Sequence, residues 1–200
     1  MLGIAFTYPL NVVTTEAVGL VLSVDLKDKK VSQGTGFLVS PEGLMVTSLH
    51  VVLPSHKDPA NPLLVLFRDS SHFGRIVCVD EVRDLALLKI PAKDRPFLRI
   101  GSFKGLRSGD PIYTLSYPGR GKPLFSEGYV ERVYGGGRVV FILTSAPLSF
   151  GSSGAPIMDS EGKVVAVATF VILREGYVRS MGVAADYVGR LMRSCLQKKN

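Results

Sequence analysis

The chain has 200 residues, 46% of them hydrophobic, and a net charge of +7 from 24 basic and 17 acidic side chains. That apolar content excludes a disordered chain, and the length suits one compact unit. The basic residues are scattered from Lys27 to Lys199 with no Arg-rich or aromatic-interleaved block, so no nucleic-acid partner is expected. Cys78 and Cys195 lack zinc spacing and form no disulfide framework, although one bridge between them is open. No metal and no cofactor is expected.

The first residues, MLGIAFTYPLNVV, are apolar but interrupted by Tyr8, Pro9 and Asn11, without a basic start or a small-residue cleavage site. No run reaches the roughly 18 apolar residues of a membrane span. With no export signal or span in view, the cytoplasm is the default expectation for location. Short apolar runs then alternate with turn signals at the spacing of strands in a sandwich or barrel. Val18–Val24 is the first. Gly36–Ser40 and Leu44–Thr47 flank Pro41-Glu42-Gly43, a hairpin signal. Leu63–Phe67, Phe73–Val79 and Leu85–Ile90 follow, and Pro91 ends the last. A polar stretch, 91–100, separates the halves. Pro111–Ser116, Gly128–Val133, Val139–Thr144, Ala155–Met158 and Val164–Phe170 make up the second half. Only Ala184–Leu196 has helical periodicity, with Asp186 at its start suiting the helix dipole. The expected units are a first barrel over about 15–90, a second over about 101–183, and a terminal helix over about 184–196.

Three residues invite a chemical reading. Ser153 stands in Gly151-Ser152-Ser153-Gly154-Ala155-Pro156. A serine hydroxyl needs a base to take its proton and donors to hold the oxyanion. Flanking glycines let the backbone aim amide N–H groups at a reacting carbonyl, which nominates those of Gly151 and Ser153. Taken alone, GSSGAP suits an ordinary loop equally well. Of three histidines, His50 is the one held by apolar residues on both sides. Asp84 opens the apolar run LALLKI, where an unpartnered carboxylate is costly and an imidazole N–H would satisfy it. Asp80 is the competing acid. The order His, Asp, Ser places the first two on one half and the serine on the other, with the site in the cleft between them.

The chain resembles trypsin-like serine proteases, and most closely the protease domain of the HtrA/Deg group. The resemblance rests on GTGFLVSPEGLMVTSLHVV (34–52), DEVRDLALLKI (80–90), GSFKGLRSGDPIYTLSYPG (101–119), SEGYVERV (126–133), SFGSSGAPIMDSEGKVVAVAT (149–169) and MGVAADYVGRLM (181–192). It implies an all-β fold of two orthogonal six-stranded barrels with a C-terminal helix. It also implies hydrolysis of peptide bonds through His50, Asp84 and Ser153, with Gly151 and Ser153 as the oxyanion hole. Two positions depart from the family: Ser152 stands where Asn or Asp is usual, and Ala155 where Gly is usual. A requirement for positive φ at Ala155 would strain the oxyanion loop. No PDZ domain is expected within these 200 residues.

The resemblance implies a specificity pocket walled by Pro147, Leu148, Ala166, Val167, Ala168 and Thr169. None is acidic, so small or medium aliphatic side chains are the expected preference. The expected partners are peptide or unfolded-protein substrates, with a homo-oligomer open. Two other readings share the fold: a polyprotein-processing protease that cleaves set sites, and a catalytically silent peptide-binding module.

Overall fold

The computed structural model describes residues 12–119, 121–174 and 177–197. The readings of residues 1–11 and of Lys198 and Lys199 lie outside them. A short helix, α1 (Val12–Ala17), leads into β1 (Val18–Asp25), β2 (Lys30–Leu38) and β3 (Leu44–Ser48). A 3₁₀ turn over Leu49–Val52 and a second short helix, α2 (Leu53–Lys57), follow. Pro54 stands in the first turn of α2, where a missing N–H costs nothing. Then come β4 (Leu63–Leu66), β5 (Ser71–Phe73), β6 (Arg75–Asp80) and β7 (Leu85–Lys89). These seven strands form one sheet in the order β5-β4-β1-β2-β3-β7-β6, antiparallel throughout.

The second half comprises β8 (Pro111–Ser116), β9 (Leu124–Gly136), β10 (Val139–Thr144), β11 (Pro156–Met158), β12 (Val164–Arg174) and β13 (Tyr177–Ala184). These six close into a barrel in the order β10-β13-β12-β11-β8-β9. The final helix, α3 (Asp186–Gln197), carries Asp186 in its first turn, as the dipole favours.

The all-β architecture with a terminal helix is therefore present. The first half differs in detail: it is a seven-stranded sheet, not a six-stranded ring. Its extra strand arises at Gly74, where the expected single strand Phe73–Val79 splits into β5 and β6, and the Gly74 N–H bonds to Leu63 O at 2.8 Å. A further strand, β13, has no counterpart in the sequence reading. Its residues YVRSMGVA break apolar alternation at Arg179, Ser180 and Gly182, and pairing to β10 on one side and β12 on the other makes it a strand. Tertiary pairing overrides local pattern here.

The core explains why β7 reads as an apolar run broken only by Lys89. Leu85, Ala86, Leu87 and Leu88 are all fully buried. The strand lies between β3 and β6, and α3 packs across it and β6. With both faces covered, these four positions leave no side chain facing water, and Lys89 at the strand's end is the polar exception.

Candidate active site

His50 sits on the 3₁₀ turn that follows β3, and Asp84 ends the turn from β6 into β7. Because β3 and β7 pair with Ser48 opposite Leu85, their ends bring the two residues together. His50 Nδ1 and Asp84 Oδ2 are 2.6 Å apart. Asp84 Oδ1 accepts the backbone N–H of His50 at 2.9 Å, and Asp84 O accepts that of Leu49 at 3.0 Å. Both carboxylate oxygens and the carbonyl thus face one short turn. Asp84 reaches this pose with φ +54°, a left-handed conformation that Asp tolerates better than most residues. The His50 side chain is 42% exposed, open enough to meet a ligand. Asp80, the competing acid, is engaged elsewhere, with Arg83 Nη1 at 2.7 Å.

Ser153 lies on the loop between β10 and β11, whose residues 149–155 form two consecutive turns. Ser152 N–H bonds to Ser149 O at 2.9 Å, and Ala155 N–H bonds to Ser152 O at 2.9 Å. Gly151 and Gly154 occupy the third position of each, at φ +95° and +86°. That is the type II pattern, which demands φ > 0 there. Ser153 takes the second corner. Among the described residues the N–H groups of Gly151 and Ser153 donate to no protein acceptor, while that of Ser152 between them does.

Docking of this loop on the first sheet is close. A Cβ on Gly154 would lie 2.1 Å from Thr35 O and 2.8 Å from Ser48 N. Ser153 O accepts Thr35 N–H at 2.8 Å, Gly154 N–H bonds to Ala168 O at 2.7 Å, and Ser48 Oγ donates to the same Ala168 O at 3.2 Å. Ser153 is thereby placed beside β2 and the end of β3 that carries His50. Among the described residues no hydrogen bond joins Ser153 Oγ to His50.

Thr35 is a residue the sequence reading passed over. Its hydroxyl donates to Gly151 O at 2.8 Å and accepts from Tyr117 N–H at 2.9 Å, and its carbonyl accepts from Thr47 Oγ1 at 2.7 Å. One fully buried side chain thus ties both halves to the Ser153 loop. A lone threonine between glycines in GTGF carries no signal of that. The two departures flagged in the sequence fit the loop. Ser152 is buried, its Oγ donates to Ser116 Oγ at 3.0 Å and accepts Ser149 N–H at 3.3 Å. Ala155 is fully buried and not in the positive-φ region, so the strain considered at that position does not arise.

The nominated pocket residues lie in different settings. Ala166 and Val167 are buried mid-strand positions, paired to β11 on one side and β13 on the other. Ala168 spends its backbone on the Ser153 loop. Thr169 falls at a bulge in the β12–β13 pairing, and Leu148 is buried with its N–H on Ser180 Oγ at 3.1 Å. Pro147 is exposed. A hollow of about 590 Å³ between Pro41, Lys89 and residues 91–94 lies at the opposite end of β3 and β7 from His50 and Asp84.

The two cysteines, without functional signal in the sequence, form a disulfide between β6 and the last turn of α3. Among the described residues no cluster of His, Cys, Asp and Glu could hold a metal ion.

The model of the trypsin-like peptidase domain matches residues 34–167, from the glycine before Thr35 to the middle of β12. The chain belongs to this family. Among curated relatives of this trypsin-like peptidase domain, Serine protease HTRA1 of Xenopus laevis is 32% identical over 151 residues, which is 70% of this chain and 32% of the relative. A probable periplasmic serine endoprotease DegP-like of Pseudomonas fluorescens is 31% identical over 153 residues, 72% of this chain and 30% of the relative. The chain thus spans about a third of the length of the curated relatives it matches. The solved HtrA-type protease AlgW with tripeptide shares the fold, with a TM-score of 0.81 over 94% of this chain and 62% of its own, at 22% identity. The relatives described as periplasmic overturn the default placement in the cytoplasm. The Cys78–Cys195 disulfide agrees, since such bonds persist in oxidising compartments.

Proposed function

We propose that this trypsin-like domain is a serine endopeptidase in which Ser153 is the nucleophile, His50 its base and Asp84 the carboxylate that orients His50. The observation that carries the reading is the His50–Asp84 pair at 2.6 Å, set against a turn that leaves the N–H groups of Gly151 and Ser153 without protein acceptors. Asp84 Oδ2 accepts the Nδ1 proton, which leaves Nε2 as the acceptor for the Ser153 hydroxyl proton. Ser153 Oγ attacks the scissile carbonyl as His50 takes that proton. The two N–H groups hold the oxyanion, each contributing about 3–4 kcal/mol to the transition state. His50 then protonates the leaving amine, and a water deprotonated by His50 releases the acyl group. Asp84 stays ionised and stabilises the imidazolium.

The substrate class is an extended peptide. On the side of β12 away from β13, pairing with β11 goes no further than Val167, and the edge beyond it, beside the Ser153 loop, can accept a substrate strand. Leu148 and Thr169 are the pocket residues best placed to meet the side chain at the cleaved bond, and their lack of charge favours small or medium aliphatic groups. The solved HtrA-type relative with a bound tripeptide is consistent with this substrate class. Location outside the cytoplasm follows the periplasmic relatives and the disulfide. Ala155 outside the positive-φ region removes the main ground for a silent binding module.

The test is hydrolysis of casein and of a fluorogenic peptide library by wild type, Ser153→Ala and His50→Ala. Wild type should cleave after aliphatic residues, and each variant should lose activity on the order of 10⁶-fold. Cleavage by Ser153→Ala at the wild-type rate would overturn the proposal.

A further inference from the structure

Helix α3 ends the chain's second half in sequence, yet it packs on β6 and β7 of the first. Three attachments fix it. At its start, Asp186 accepts from Ser102 Oγ at 2.8 Å and from Phe103 N–H at 3.0 Å. One residue on, the buried Tyr187 ring lies under Arg83, whose Cζ is 4.2 Å from the ring centroid. In the last turn, Cys195 is bonded to Cys78 of β6. The second and third attachments grip the same hairpin from either end. Cys78 is in the strand that enters the turn, and Arg83 is the residue before Asp84.

The turn needs such a grip. Asp84 is at φ +54°, a conformation that Asp tolerates better than most non-glycine residues but that still costs free energy, which surrounding contacts offset. Within the turn, Arg83 is tied back to Asp80 by Nη1 to Oδ2 at 2.7 Å and by its backbone N–H to Oδ1 at 3.1 Å. The Asp80 hydrogen bond raises the Arg83 pKa above its ordinary value, and the guanidinium over Tyr187 is charged at any working pH. A cation over an aromatic face is stronger when partly desolvated, and the Arg83 side chain is 22% exposed. Arg190 of α3 adds a second cation 5.4 Å from the same ring.

We propose that α3 is a positioning clamp for Asp84: through Tyr187 on Arg83, and Cys195 on Cys78, it holds the β6–β7 turn so that Asp84 stays bonded to His50, and the clamp loosens when the disulfide is reduced. Reduction takes two electrons and two protons from a dithiol, which becomes a disulfide as Cys78 and Cys195 become thiols. Tyr187 and Arg83 touch no reacting atom and act only through Asp84. The inference rests on the proposed triad.

The experiment measures the rate of inactivation by a fluorophosphonate probe, and kcat and KM on a fluorogenic peptide, for the whole chain. Arg83→Met and Tyr187→Leu should each lower kcat and the inactivation rate roughly ten- to a hundred-fold with KM unchanged, the scale expected of a slight misplacement of catalytic groups. Tyr187→Phe keeps the ring but loses the hydroxyl's interaction with Arg83, and its rate should fall between those of wild type and Tyr187→Leu. A dithiol reductant should slow wild type similarly and reversibly on reoxidation. The Cys78→Ser/Cys195→Ser double variant should not respond to it. Near-UV circular dichroism monitors folding in each arm. Folded Arg83→Met at the wild-type rate, or a loss that falls wholly in KM, would overturn the clamp alone. If Arg83→Met does not fold, reduced wild type decides: a native spectrum with an unchanged inactivation rate overturns the clamp. Wild type that never reacts with the probe sinks the protease reading, and the clamp with it.

Discussion

Gly154→Ala should remove activity and much of the stability together. The position has φ +86°, which costs a residue with a Cβ about 1–2 kcal/mol. The new carbon would meet Thr35 O at 2.1 Å, Thr47 Oγ1 at 2.4 Å and Ser48 N at 2.8 Å. Two of these are backbone atoms of β2 and β3, fixed by their own pairing, so the loop itself must give way. Overpacking of that kind adds about 1–3 kcal/mol, for a total of about 2–5 kcal/mol. A shift of about 1 Å in the loop that carries Ser153 typically costs a further 10²-fold in rate among the molecules that remain folded. Urea unfolding gives the first quantity and fluorophosphonate inactivation the second. Gly105→Ala is the control, with no heavy atom within 4 Å of the added carbon and no positive φ, and should change stability by no more than about 1 kcal/mol. Gly154→Ala with a wild-type urea midpoint and wild-type inactivation rate would refute the close docking of the Ser153 loop on β2 and β3.

Thr35→Val removes the hydroxyl that serves Gly151 O and Tyr117 N–H, and should cost about 1–3 kcal/mol for each group left unpaired, whereas Thr35→Ser should be near wild type in a urea titration. Asp84→Asn keeps an oxygen for the His50 N–H but turns an amide donor toward Nδ1, so the ring proton moves to Nε2, and kcat should fall roughly 10⁴-fold with little change in thermal unfolding. Burial raises the Tyr117 phenol pKa, outweighing the opposing charge of Arg68. Its contribution to stability is therefore complete below the unfolded value of about 10 and is lost as pH rises through the raised folded value. Stability of wild type relative to Tyr117→Phe should accordingly decline above that pH, and parallel pH curves would contradict it.

The parts of the site legible in the sequence were those written in local chemistry. Ser153 stood out through its glycines and His50 through its apolar flanks, and Asp84 through the cost of a carboxylate at the mouth of LALLKI. The glycines proved to be turn positions with positive φ, and Asp84 proved to be bonded to His50. What the sequence could not show depends on residues far apart in the chain. Thr35 reaches Gly151 and Tyr117 only once the halves meet. The strand β13 exists because two neighbours pair with it, not because its residues alternate. Cys78 and Cys195 are 117 residues apart, and their bond depends on α3 folding back onto β6. Even Ala155 needed the structure, since only the observed turn shows that the positive φ falls on Gly154 before it.

The most direct test of the account is to locate the covalent adduct of a fluorophosphonate probe by tandem mass spectrometry of the peptide around GSSGAP. The account predicts one adduct, on Ser153 and not on its buried neighbour Ser152, and none in His50→Ala. An adduct on Ser152 or outside this loop, or undiminished labelling of His50→Ala, would contradict it.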